Sequence, residues 1–188
     1  MQIRIARRRK KIHHRRVETI WQNPSIVAHT EIIARSLKHW TGRDLFGART
    51  ACPQVEVAGP GTRGQAVRAP ADLAEKVFHA PFVLVSHGIE ADPVLNYGNA
   101  AALALWEMSW PELTRTPSRL TAEAPNREER ARLLETVTRR GFIDDYSGVR
   151  ISKTGRRFRI AQATVWNLVS PEGKNCGQAA RFSRWEFL

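Results

Sequence analysis

The order of strand-like and helix-like segments between Pro81 and Trp185 constrains the fold more than any other feature of this chain. An uninterrupted apolar run at residues 82–85 is typical of an interior strand, and a second short strand is predicted at 94–97. Helical segments follow, and alternating segments then close the region at 146–152, 158–168 and 175–185. Two strands, then helices, then three strands predict a small antiparallel α+β domain curved around a pocket.

Capping signals divide the helical part into short helices. Three of them occur between the two groups of strands: Asn99 alone, Ser109 with Glu112, and Asn126 with Glu129. The third helix is predicted to end at Gly141, a residue type that suits a helix C-terminus. Upstream, Asp72 with Glu75 predicts the start of one more helix, which stops before Pro81.

The amino-terminal third has a different character. Over 25–40, apolar residues recur at helical spacing: Ile26, Ile32, Ile33, Leu37 and Trp40. Gly42 is a suitable residue to end that helix. Residues 47–70 are rich in glycine and proline and read as a linker. The chain is therefore divided into a basic arm (1–21), an N-terminal helix (22–46), the linker (47–70) and a core (71–188).

The strand over 158–168 carries its large side chains at every second position. Phe158, Ile160, Thr164, Trp166 and Leu168 are therefore predicted to share one face of the sheet. The Ser-Pro-Glu-Gly turn at 170–173 would then return the chain as a hairpin partner.

Charge is concentrated at the amino terminus. The formal net charge is +12, and residues 1–21 hold eight lysines and arginines against one acid, Glu18. Such an arm can neutralise phosphates and release counterions, which makes seven residues candidate nucleic-acid contacts: Arg7, Arg8, Arg9, Lys10, Lys11, Arg15 and Arg16. The alternative is a solvated arm with no binding role.

No membrane, metal or catalytic signature stands out. No apolar stretch approaches the length of a transmembrane helix, and two cysteines fit a reducing compartment, so a cytoplasmic location is predicted. His87 lacks the partners at metal-ligand spacing that a metal site needs, and no metal is predicted. Because nucleophile-elbow and phosphate-loop motifs are missing, we predict that the chain is not an enzyme. If it were a small enzyme of unrecognised type, His87 and Asp145 would be the best candidates for its catalytic residues.

Several motifs in a fixed order carry a resemblance to a known family. They are HWTGRDL at 39–45, VSHGIEADP at 85–93, LNYGN at 95–99, WEMSW at 106–110, PSRL at 117–120, NREER at 126–130, GFIDDY at 141–146, GRRF at 155–158 and GQAA at 177–180. On these motifs the chain resembles the MEKHLA domain family, a relative of PAS sensory domains, and is similar to its stand-alone bacterial type. The similarity spans roughly residues 25–186 and leaves out the basic arm.

The resemblance implies a PAS-like fold: a five-stranded antiparallel sheet with helices packed on one face, plus the N-terminal helix. In plants such a domain ends class III homeodomain-leucine-zipper transcription factors and is associated with their dimerisation. For this chain the resemblance implies a regulatory or sensory module that binds a small ligand or a protein partner and self-associates as a homodimer. It names no cofactor. The alternatives are a nucleic-acid-associated protein that uses the arm, and a small enzyme of unrecognised type.

PAS-type domains hold small molecules between their helices and their sheet. Seven side chains are therefore candidates to line such a pocket: Asn96, Tyr97, Trp106, Met108, Phe142, Phe158 and Trp166. The alternative is that the aromatic members fill an ordinary core, because aromatic residues at helix and strand spacing usually do so.

Overall fold

A computed structural model describes residues 20–47, 69–123 and 127–188. Residues 1–19 of the basic arm, most of the predicted linker, and Asn126 of the third predicted capping box lie outside the described residues. In the part that is described, no helix is both long enough and apolar enough to cross a membrane.

The helices are α1 (Pro24–Thr41), α2 (Pro70–Phe78), α3 (Ala100–Trp106), α4 (Trp110–Leu113) and α5 (Arg127–Arg140), with 3₁₀ turns at Ile20–Gln22 and Ser118–Thr121. The strands are β1 (Val83–His87), β2 (Leu95–Gly98), β3 (Phe142–Ile151), β4 (Arg157–Val169), β5 (Asn175–Phe182) and β6 (Arg184–Phe187).

Within the described residues the strands form one antiparallel sheet in the order β2-β1-β5-β4-β3. The short β6 continues β5 after Ser183 and pairs with the first part of β4. The predicted order of two strands, helices and three strands is confirmed, and so is the α+β class. The third predicted strand at 146–152 is longer than expected, since it begins at Phe142 directly after α5.

Helix ends follow local chemistry. In α1 the Asn23 Oδ1 atom accepts a hydrogen bond from the Ser25 N–H at 3.0 Å, and Gly42 ends the helix in the left-handed conformation, as predicted. The predicted Asp72–Glu75 capping box is wrong. Helix α2 begins at Pro70, because proline suits the first turn of a helix, and this leaves Asp72 already inside it.

The buried Asn99 connects three elements at the start of α3. Its Oδ1 accepts hydrogen bonds from the N–H of Ala102, at 3.1 Å, and from that of Leu84 in β1, at 3.0 Å. Its Nδ2 donates to the carbonyl oxygens of Phe82 (2.7 Å) and Val77 (3.3 Å). The predicted N-cap is thus confirmed, and the same amide also joins α2 to β1.

Helices cover both faces of the sheet. On the face that we call inner, Val85 and Val165 flank Ala180, and α3 and α5 lie over them. On the face that we call outer, Trp166 and its neighbours pack beneath Ile33 and the rest of the α1 stripe. The predicted N-terminal helix therefore packs on the side of the sheet opposite α3 and α5.

The prediction that five side chains of β4 share one face is wrong. The pairing of β3 with β4 is irregular around Tyr146, and two non-glycine residues there have positive φ: Asp145 (60°) and Gln162 (54°). The extra residue near Gln162 reverses the alternation, as β-bulges do. Phe158 and Ile160 consequently point to the inner face, whereas Trp166 and Leu168 point to the outer one.

We predict that Asn99→Ala lowers the free energy of unfolding by about 3 kcal/mol, because it leaves several buried backbone groups without partners. The matched variant Asn23→Ala removes an exposed N-cap and should cost about 1 kcal/mol. Urea unfolding followed by circular dichroism measures both. Equal losses in the two variants would contradict the connecting role of Asn99.

We also predict that Gly141→Ala is more harmful than Gly155→Ala. Both glycines have φ near +90°, which costs any other residue about 1–2 kcal/mol. A Cβ at Gly141 would in addition overlap the indole ring of Trp40, whereas no atom lies within 4 Å at Gly155. The free energies of unfolding of the two variants, measured by thermal unfolding, should differ by about 1–3 kcal/mol. Similar melting temperatures would show that α1 adjusts freely at this position.

Candidate functional site

A cavity of about 60 Å³ lies between the inner face of the sheet and the helices α3 and α5. Its walls are mainly apolar: Val85, Leu95, Leu133, Ile160, Val165 and Phe182. Side chains with polar atoms also line it, among them His87, Thr121, Arg130, Tyr146, Arg150 and Gln178. The arrangement offers a hydrophobic enclosure with a few polar groups, which is the usual character of a small-molecule site.

His87 reaches the cavity from the end of β1. Its Nδ1 lies 2.9 Å from the Gly88 carbonyl oxygen and therefore donates a hydrogen to it. Its Nε2 is buried and has no hydrogen-bond partner among the described groups. Burial lowers the pKa of His87, so the ring is neutral near pH 7 and its buried Nε2 carries an unshared lone pair.

Arg150 faces the same cavity from β3, where it lies on the inner face together with Tyr146. The residue is only 6% exposed. Its guanidinium donates to the Val149 carbonyl oxygen at 2.8 Å and to the Tyr146 hydroxyl at 3.0 Å, and it lies 5.3 Å from the centre of the Tyr146 ring. Neither oxygen carries a charge, so these contacts leave the positive charge of Arg150 uncompensated.

Arg130 faces the cavity from α5 and is partly buried. The pKa of Arg130 is lowered to about 10 by burial and by the positive charge of Arg150. Two guanidinium groups on different elements therefore act on each other across one enclosed space.

An amide pair fixes α5 to the sheet beside the cavity. The two N–H groups of Gln178 Nε2 are shared among three acceptors: the Leu134 carbonyl oxygen at 3.0 Å, the Thr138 hydroxyl at 3.1 Å and the Asn167 Oδ1 at 3.0 Å. Asn167 in turn donates to the Val137 carbonyl oxygen at 2.9 Å. The helix that closes the cavity is thus held by side chains of the two central strands.

On the outer face, a polar chain joins α1 to the sheet. His29 Nε2 lies 2.8 Å from the Ser86 hydroxyl, which donates to the Asn96 Oδ1 at 2.6 Å. Burial lowers the pKa of His29, so its neutral form is favoured. Ser86 precedes the cavity residue His87 on β1, so one strand carries a cavity group on one face and a contact to α1 on the other.

The seven candidate pocket residues divide between the two faces. Only Trp106 lines the cavity, while Phe158 packs beside it with ring centres 5.4 Å apart and Met108 packs at the edge of the same cluster. Tyr97, Phe142 and Trp166 lie in the outer cluster under α1, and Asn96 belongs to the polar chain there. The structure does not bring the seven together, and their contact with a ligand stays a prediction.

The remaining candidate residues do not line the cavity. Asp145 follows Asp144, which forms an ion pair with Arg43 at 2.5 Å and accepts a hydrogen bond from the Thr164 hydroxyl at 2.7 Å. No group of three or more His, Cys, Asp or Glu close enough to hold a metal occurs in the described parts of the chain. The candidate nucleic-acid contacts all lie outside the described residues: Arg7, Arg8, Arg9, Lys10, Lys11, Arg15 and Arg16.

Sequence reasoning missed the two cavity arginines, although a signal for each was present. Arg130 stands three and four residues before Leu133 and Leu134, so helical spacing puts it on the apolar stripe of α5. Arg150 stands four residues after Tyr146 in a strand, which puts both on one face. A charged residue at a position where the pattern calls for an apolar one was the informative signal.

Comparison with solved structures identifies the fold as PAS-like. The PAS domain of a protein from Colwellia psychrerythraea aligns with a TM-score of 0.52 at 11% identity, over 62% of this chain and 94% of that one. An RNA-binding light-oxygen-voltage receptor aligns with a TM-score of 0.55 at 16% identity, over 66% of this chain and 36% of the receptor. At these identities the likeness shows a PAS-like fold and nothing about ligands.

Among curated proteins, no sequence matches this chain. The MEKHLA domain, in contrast, matches residues 27–187, which include every strand of the sheet and all the residues that line the cavity. The chain belongs to the MEKHLA domain family.

Proposed function

We propose that this chain is a regulatory module that senses a small molecule in the inner-face cavity. The observation that carries the proposal is the buried Nε2 atom of His87, which has no partner among the described groups and belongs to a side chain that lines an enclosed, largely apolar space. Buried polar atoms in folded proteins are nearly always hydrogen-bonded, so such an atom indicates a place for an additional molecule. An occupant with a hydrogen-bond donor would satisfy it.

The size of the cavity restricts the occupant. Sites for drug-sized ligands have volumes of roughly 300–1,000 Å³, whereas this cavity measures about 60 Å³. A compound with few heavy atoms fits the space as it stands, and a larger cofactor would require α5 to move away from the sheet.

The connection between the two faces supports a regulatory output. His87 contacts the cavity, while the adjacent Ser86 contacts His29 of α1 on the opposite side of the sheet. A shift of β1 caused by an occupant would therefore reach the docking contact of α1. In this proposal the exposed side of α1 is what a protein partner or a second copy of the chain recognises, and the proposed location is the cytoplasm.

We predict that Ala180→Leu abolishes binding of a co-purifying small molecule. Ala180 lies between Val85 and Val165 in the wall of the cavity, so a leucine side chain there would occupy the space itself. The matched control is Ala104→Leu, at an exposed position of α3. Protein released gently from its native host is examined by native mass spectrometry, and melting temperatures are measured across a set of small metabolites.

The wild type and the Ala104→Leu variant should carry a bound compound or melt at a higher temperature with one metabolite, and Ala180→Leu should do neither while remaining folded. A compound that stays bound to Ala180→Leu would place the site elsewhere. No bound compound and no thermal effect in the wild type would contradict the proposed sensing role.

A further inference from the structure

The cavity contains more positive charge than its surroundings neutralise. Arg130 on α5 and Arg150 on β3 both face it, and none of the side-chain carboxylates that the structure describes lies within ion-pairing distance of either guanidinium. Buried charges are normally paired, because removing a lone charge from water is costly. Two like charges that share one enclosed space add a repulsion to that cost.

Arg150 has more N–H donors than its hydrogen bonds within the domain use. A guanidinium carries five N–H groups, and the recorded contacts of Arg150 use its two terminal nitrogens, on the Val149 carbonyl oxygen and the Tyr146 hydroxyl. The contact with Tyr146, through the hydroxyl and across the ring, holds the plane of the guanidinium in one orientation. A fixed plane with free N–H groups is the arrangement that recognises planar anions.

We propose that the ligand of the cavity is a small organic carboxylate, with its charged group held between Arg130 and Arg150; this rests on the proposed function above. Its short apolar part packs against Val85, Leu95 and Val165. The pKa of Arg130, which is lowered by burial and by the positive charge of Arg150, supports the geometry. His87 Nε2 is then positioned to accept a hydrogen bond from a hydroxyl substituent of the ligand.

The apolar lining favours a carboxylate over inorganic phosphate. Phosphate presents polar oxygens in every direction, and those directed at the aliphatic walls would lose their hydration without gaining a partner. A short-chain carboxylate places polar atoms at one end only, which matches a cavity that has its arginines together and its aliphatic side chains elsewhere.

The test uses the full chain and titration calorimetry at constant ionic strength, with butyrate as the probe. Butyramide, which has the same number of heavy atoms and no charge, and inorganic phosphate are the comparison probes. We expect butyrate to bind at least about tenfold more tightly than butyramide or phosphate. Arg130→Met and Arg150→Met should each weaken butyrate binding by about tenfold or more, because either variant removes a charge-assisted contact.

Arg132→Met is the control, because Arg132 lies on the same helix with its side chain 81% exposed, and the variant should bind butyrate as the wild type does. Melting temperatures without ligand give an independent readout. Because Arg130→Met removes one of two unpaired like charges, this variant should melt at or above the wild-type temperature. A clear decrease would show that Arg130 serves the fold instead, and would overturn the proposal.

Other outcomes separate the ligand class from the sensing role. Equal affinity for butyrate and butyramide, binding of phosphate alone, or unchanged butyrate binding in both cavity variants would overturn the carboxylate assignment. If butyrate fails to bind while native mass spectrometry still finds a compound that Ala180→Leu excludes, the carboxylate assignment is wrong and the sensing role stands. If neither experiment finds a ligand, both proposals fail.

Discussion

The difference in side-chain size between the two faces of the central strands determines where this domain leaves an enclosed cavity. On the outer face Trp166 is fully buried, and its indole N–H donates to the Ile33 carbonyl oxygen of α1 at 3.3 Å. On the inner face the equivalent place is occupied by Ala180 between Val85 and Val165. Bulky aromatic packing therefore makes the α1 side solid, and small side chains leave the space under α5.

Much of the architecture could be predicted from the sequence, because each element carries its own boundary signal. Asn99 marks the start of α3 with a side chain that caps in place, and the order of strands follows from short-range periodicity. The bulges at Asp145 and Gln162 could not be predicted in this way. Neither residue is a glycine, so nothing local announces a left-handed conformation, and only the pairing of β3 with β4 produces it.

That one irregularity explains most of what sequence reasoning missed in the site. Uninterrupted alternation through β4 puts Phe158 and Trp166 on the same face, and from there in one pocket, whereas the bulge near Gln162 separates them. Aromatic side chains were also a poor guide for a physical reason. Most of them fill space completely, so aromatic spacing alone does not locate a cavity. The space lies over the small side chains of the sheet, with Trp106 and Phe182 in its walls, and polar residues such as Arg150 give it chemical character.

Charge, more than shape, is the feature by which such a cavity can discriminate between small molecules. A neutral occupant would fill the space and leave the repulsion between Arg130 and Arg150 intact, whereas an anion would convert it into attraction. Because one arginine belongs to α5 and the other to β3, an anion would bridge the helix and the sheet. Binding of such an anion would then add to the stability of the folded domain, by about 2.7 kcal/mol at a ligand concentration of a hundred times Kd. In the proposed role, the repulsion between the two arginines would make α5, and through β1 the contact with α1, respond to an anionic occupant.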